Sequence, residues 1–179
     1  MDDYLGALQH YHNAHAHDPH VLEVSRFIID YPFETRLFPH ASQVVRRFKK
    51  WGKVVIVSDG DVVFQPRKIQ RSGLWAAVEG RVLIYVHKER MLPAVAERYP
   101  ARHYVMVDDK LRILAAMKEV LQQRLVTVFA RQGHYANDPL ELARHPAADI
   151  GVERIGDLLE LDLAPWLGPA SSTTSQENP

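Results

Sequence analysis

Three polar groups sit where apolar runs end. Ser58 follows Lys53-Val54-Val55-Ile56-Val57, Lys88 follows Arg81 to Val86, and Asp108-Asp109 close the run His103 to Val107. A hydroxyl with nearby backbone N–H groups, as in Ser58-Asp59-Gly60, can hold phosphate oxygens much as a nest does. An ammonium such as that of Lys88 neutralises charge developing on a transferring phosphoryl group. Paired carboxylates bind a hard cation such as magnesium through oxygen ligands. Singly, each has a plain structural reading. Ser-Asp-Gly forms turns, a lysine at a helix start is a solvated charge, and acids at a helix N-terminus suit its dipole. Their order, one group after each of three successive apolar runs, makes them one candidate site for an anion and a cation.

The elements needed to position them are legible. From His40 the pattern is regular: Val44, Val45 and Phe48 share a helical face, and Gly52 stands where a C-terminal cap belongs. Strand Lys53–Val57, helix Val63–Arg71, strand Arg81–Val86, helix Glu89–Arg98 and strand His103–Val107 follow. A helix through Ile113, Ala116, Met117 and Val120, strand Leu125–Phe129, strand Ala148–Val152 and helix Ile155–Leu161 complete the alternation. Such alternation predicts an α/β fold, a parallel sheet with helices on both faces and chemistry just past the carboxyl ends of the strands. The first thirty residues read as helical and polar, broken near Pro19, and Tyr31–Pro39 as a connector.

Composition narrows the classes. Lys plus Arg and Asp plus Glu both total 22, so no basic excess supports nucleic-acid binding. The absence of cysteine removes disulfides, thiolate catalysis and Cys-ligated zinc. The start Met1-Asp2-Asp3-Tyr4 lacks the basic and apolar character of a secretory leader, and no apolar run is long enough to span a bilayer. The cytoplasm is the expected address. Oligomeric state is not readable. The histidines at 10, 12, 15, 17 and 20 read as a solvated face rather than a metal site, for want of a carboxylate or second cluster beside them. Arg131-Gln132-Gly133-His134-Tyr135 follows the strand ending at Phe129 and reaches the rim that carries the site, reading as a surface loop ahead of a substrate contact, and the three tryptophans read as packing residues.

With those residues in place, the chain resembles the haloacid dehalogenase-like (HAD-like) hydrolases. Val54–Gly60 looks like the family's second motif, an apolar strand ending in Ser or Thr; Lys88 stands at the third; and Val105-Met106-Val107-Asp108-Asp109 looks like the fourth, the acidic pair. The likeness runs from Pro39 to Leu161 and implies a Rossmannoid parallel sheet. It further implies that Ser58 bonds the phosphoryl group and Lys88 stabilises it, with Asp59 and Gly60 beside them. Asp108 and Asp109 would hold magnesium, and the substrate would be a small phosphorylated molecule. Where the family often carries a further acid, Arg112 and Ile113 stand here.

The family's first motif, an apolar strand ending in Asp-x-Asp, does not occur in this chain. The first Asp of that motif is the nucleophile and the second the general acid and base. Phe27-Ile28-Ile29-Asp30 imitates it, but Pro32 replaces the second Asp. The expectations are therefore a sheet lacking its central first strand, residues 1–32 as the remnant of a helical cap, 33–167 as the HAD-like core and 168–179 as a disordered tail. An N-terminally shortened phosphatase, inactive and poorly soluble, follows from these, unless another segment fills the gap. The alternatives are a non-catalytic protein binding a phospho-ligand or partner and, ranked third, a 2-haloacid dehalogenase.

Overall fold

Short-range signals account for most of the element boundaries in the computed structural model, which describes residues 4–167. Helices α1 (Tyr4–Ala14) and α2 (His20–Asp30) are separated at Asp18, whose Oδ1 accepts the His20 N–H at 2.9 Å. Pro32 ends α2 by holding Tyr31 out of the helical region, at φ −54° and ψ 137°. A 3-10 turn at Phe33–Arg36 leads to α3 (Ala41–Phe48), then β1 (Ile56–Asp59) and α4 (Phe64–Arg71). The Asp61 carboxylate accepts the N–H groups of Val63 and Phe64 at 2.9 and 2.5 Å, which starts α4. Next come α5 (Leu74–Ala77), β2 (Val82–Tyr85), a 3-10 turn at Lys88–Arg90, α6 (Leu92–Arg98), β3 (Tyr104–Asp108) and α7 (Leu111–Leu121). After a 3-10 turn at Gln122–Arg124 the chain runs through β4 (Leu125–Ala130), a turn at Tyr135–Asn137, α8 (Pro139–Arg144), β5 (Ile150–Val152), a turn at Ile155–Leu159 and α9 (Ala164–Leu167). No helix among the described residues is long and apolar enough to cross a membrane. The expected tail, 168–179, lies outside the described residues.

Several expected elements differ. β1 starts at Ile56 and not Lys53, because the Val54 carbonyl accepts the Arg81 Nε–H at 3.0 Å instead of a sheet partner. The helix expected over Glu89–Arg98 is split at Met91: Pro93 has no N–H to bond back to the preceding turn but is tolerated in a first helical turn, so α6 begins at Leu92. The helix expected over Ile155–Leu161 is a 3-10 turn ending at Leu159, closed by Asp157 N–H to Arg154 O at 3.0 Å and Glu160 N–H to Asp157 O at 3.1 Å. Trp166 is 41% exposed, so it does not pack as expected. Helices α5, α8 and α9 had no signal in the sequence strong enough to draw them.

The described residues form two units. The first takes the chain up to Phe38 and Val54–Met91. In it β1 pairs parallel with β2, Ile56 opposite Val82 through Asp59 opposite Tyr85. Its buried apolar side chains among the described residues are Phe64, Ile69, Val78 and Leu83. An aromatic chain joins its helices: Tyr4 and Phe33 lie 5.7 and 5.9 Å from Phe64, and Tyr31 lies 5.0 Å from Phe33. Arg67 and Arg71 reach from α4 to the Asp30 carboxylate and carbonyl at 2.8 and 2.7 Å.

The second unit takes Pro39–Lys53 and the chain from Leu92 onward. Its sheet is parallel with order β3-β4-β5. Val44 and Phe48 of α3, with Leu158, pack with Val128, Val105 and Val107 on one face. Leu111 and Leu114 of α7, with Ala136, pack with Phe129 and Met106 on the other. Alternate residues of one strand thus serve two helical layers, and β4 is buried along its whole length. No strand precedes Ile56 among the described residues; β1 pairs with β2 alone in the first unit, and β3 with β4 alone in the second.

Candidate active site

In the first unit, the register of β1 on β2 sets Ser58 opposite Ile84, so both chains leave the sheet at the same end. Asp59 then does the positioning. Its Oδ1 accepts the Lys88 N–H at 2.7 Å, which fastens the loop after β2 to the end of β1. Ser58 Oγ donates to the Asp59 carbonyl at 3.3 Å, and the Gly60 N–H donates to Tyr85 O at 3.0 Å, one more rung of the ladder. Gly60 is buried at φ 155°, a backbone conformation L side chains rarely adopt, and a Cβ there would lie 2.0 Å from the Gln65 Cγ, so any other residue would displace that side chain. The four residues expected to handle the phosphoryl group, Ser58, Asp59, Gly60 and Lys88, therefore lie at the end of β1 and just past the ends of β1 and β2. Within that group Asp59 and the Gly60 amide brace the others: the Asp59 carboxylate faces a backbone donor, and the Gly60 N–H is already used.

In the second unit, Asp108 is the last residue of β3 and is buried; Asp109 follows it, partly buried. The Lys110 N–H donates to Asp108 Oδ1 at 3.0 Å, which turns the chain into α7. Burial raises the Asp109 carboxyl above the ordinary carboxylate range, the Asp108 charge adds to this, and Lys110 opposes it. Two adjacent carboxyl groups whose mutual repulsion Lys110 only partly offsets suit a hard divalent ion, which needs only one or two carboxylates when water and substrate oxygens complete its shell. Among the described residues no group of three or more His, Asp or Glu side chains gathers as a fuller ligand set. The family's further acid has no counterpart: Ile113 is wholly buried in the core, so α7 uses that stretch for packing.

The loop after β4, read in the sequence as lying on the rim of the site, joins the acidic pair. The Lys110 Nζ lies 3.8 Å from the Tyr135 ring centroid. Gly133, at φ 91°, approaches Asp109 so closely that a Cβ would lie 2.9 Å from its Oδ2. The signal available was the Gly133 of a loop at the strand's carboxyl end, and it gave no hint of what it would touch. A cleft of about 550 Å³ also opens past β4 and β5, lined in part by His40, Gln132, Arg154 and Glu160.

The decoys resolve. Asp30 ends α2 and is not at the end of a strand; the Arg67 guanidinium beside it holds its carboxyl below the usual range. His10, His12, His15, His17 and His20 are all exposed, with His15 against the Tyr11 ring and His20 on Asp18.

No protein-family model matches the chain, and no curated protein does. A crystal structure of a haloacid dehalogenase-like hydrolase from Burkholderia xenovorans LB400 is 64% identical to it, with a TM-score of 0.85 over 92% of this chain and 75% of that one. At that identity and coverage, with the parallel α/β sheets and strand-end groups described above, the chain belongs to the haloacid dehalogenase-like hydrolases.

Proposed function

We propose that the chain carries the phosphate-handling groups of a magnesium-dependent phosphatase acting on a small phosphate ester. In this reading the Ser58 hydroxyl bonds a phosphoryl oxygen and the Lys88 ammonium neutralises its charge, while Asp59 fixes the Lys88 loop. Asp108 and Asp109 would hold the ion, which when bound shields charge on phosphoryl oxygens. The observation that carries the reading is the Asp59–Lys88 contact, which fastens the backbone at Lys88 to the end of β1, the strand end that also carries Ser58. The acidic pair favours phosphoryl chemistry over dehalogenation.

The chain itself turns over no ester in this reading. It contains no Asp-x-Asp after an apolar strand, and the nearest imitation, Asp30, is held by Arg67 and Arg71. The same observation favours a second reading, a non-catalytic protein that binds a phosphorylated ligand or partner through Ser58 and Lys88.

The purified chain with p-nitrophenyl phosphate and magnesium is the test. No hydrolysis above background is expected, while inorganic phosphate shifts the amide resonances of Ser58 and Lys88, and Ser58→Ala or Lys88→Ala weakens that response. Sustained hydrolysis would overturn the inactivity; silence of both amides toward phosphate would overturn the assigned roles.

A further inference from the structure

We infer that the loop after β4, residues 131–137, is a latch that sets where the Asp109 carboxylate points, with Gly133 and Tyr135 as positioning residues. The inference rests on the reading of Asp108 and Asp109 as ion ligands. It rests separately on three contacts within the second unit.

The first is steric. Gly133 adopts φ 91°, and a Cβ there would stand 2.9 Å from Asp109 Oδ2 and 3.9 Å from its Cγ. The bare α-carbon is thus a wall against which the carboxylate lies. Any other residue strains the backbone and pushes the oxygen away. The second contact concerns charge. The Lys110 backbone is fixed by its N–H on Asp108 Oδ1 at 3.0 Å, while its ammonium sits 3.8 Å from the Tyr135 ring centroid. The ring holds by its face a cation whose charge already acts on Asp109 and which, released to pair with the acids, would be a fuller internal rival to a divalent ion. The third contact is an anchor. Ala136, next to Tyr135, is 1% exposed and packs with Leu111, Leu114 and Phe129, so the loop is seated on the core that also carries α7. Tyr135 itself is 46% exposed, so replacing it removes the ring without emptying the interior.

The latch therefore does two things for the acid pair: Gly133 aims one carboxylate, and Tyr135 parks the competing ammonium. Both residues would act on the ion through Asp109 and Lys110, not as ligands.

The test titrates Mn²⁺ into the ¹⁵N-labelled full chain and reads paramagnetic broadening of amide signals. Broadening is expected first at Asp109, Lys110 and Gly133, and Asp109→Asn abolishes it. Gly133→Ala raises the Mn²⁺ needed by on the order of tenfold, the lower range for losing a support of a ligand. Tyr135→Leu raises it by a smaller factor, Tyr135→Phe restores it, and Lys110→Gln placed in the Tyr135→Leu chain restores it too. A loop that only stabilised the fold would not be rescued by removing a charge. If Asp109→Asn abolishes broadening while Gly133→Ala and Tyr135→Leu bind as the parent does, the latch is wrong and the ligand reading stands. If broadening is absent from the parent or survives in Asp109→Asn, the ligand reading falls and the latch with it. Should Gly133→Ala fail to fold, the Tyr135 and Lys110 variants decide alone.

Discussion

Val54-Val55-Ile56-Val57 and Leu125-Val126-Thr127-Val128-Phe129 are similarly apolar, yet their fates differ. Every residue of β4 is buried, whereas all four residues of β1 remain partly exposed. The difference lies in the neighbours. β4 has a strand on each side and helical layers on both faces, while β1 has one strand beside it. The first unit accordingly leaves Leu22, Phe27, Val62, Val63 and Val86 more than half exposed. Apolar sequence makes a strand available for burial; only adjacent elements bury it.

The sharpest way to test this contrast is to empty each interior in turn. Leu158→Ala, at a wholly buried position against Val44 and Val128, is expected to destabilise the second unit by about 3–5 kcal/mol, read by denaturant unfolding. Leu83→Ala in β2 is expected to cost about 2–3 kcal/mol, because the thinner first unit relaxes around the gap. Equal losses would break the comparison, as would amide exchange as slow in β1 as in β4.

A smaller effect is expected at Asp149. Its Oδ2 accepts the Thr127 N–H at 2.7 Å, the Thr127 hydroxyl at 2.8 Å and the Lys118 ammonium at 2.7 Å. Thr127 is buried, so Asp149→Ala leaves it unsatisfied at roughly 1–3 kcal/mol. Burial pushes the Asp149 carboxyl up, but Lys118 and Thr127 outweigh it, and the net direction is downward. A lowered carboxyl stabilises above its unfolded value of about 3.9, and that contribution is lost as pH falls through the folded one. Acid unfolding of the second unit should therefore begin at higher pH in Asp149→Asn.

The smallest effect is expected in the first unit's α1–α2 turn. The Tyr11 hydroxyl, then the His20 backbone and ring, hold exposed Asp18 down to about 2. Asp18→Asn should raise amide exchange at the start of α2 above pH 4, leave global unfolding unchanged, and make no difference once acid has protonated the native residue. A global shift would show that the helices and the sheet of this unit share more than the aromatic chain.

The strand-end groups were legible because each follows an apolar run whose end is a local feature: Ser58, Lys88 and Asp108-Asp109 lie at or just past β1, β2 and β3. The lack of a strand before Ile56 among the described residues was legible for the same reason. What escaped was set by distant partners. That Asp59 faces the Lys88 amide, that Arg81 takes the Val54 carbonyl, and that Gly133 meets Asp109 depend on contacts 24 to 29 positions apart or on the register between strands. Pro93 is visible in the sequence, but the apolar spacing around it hides the break it imposes on the helix over Glu89–Arg98.

The chain passes between its two units three times, at Phe38, Lys53 and Met91. Residues 92–167 lack α3, whose Val44 lines their interior, so cutting the gene at Leu92 would yield neither half intact. Proteolytic nicking of the Val54–Met91 excursion should likewise leave a complex held by non-covalent contacts and not release a fragment. Because tethering a longer excursion costs entropy only logarithmically, inserted sequence would be tolerated at the ends of that stretch, but not within β1, α4 or β2, nor within α3.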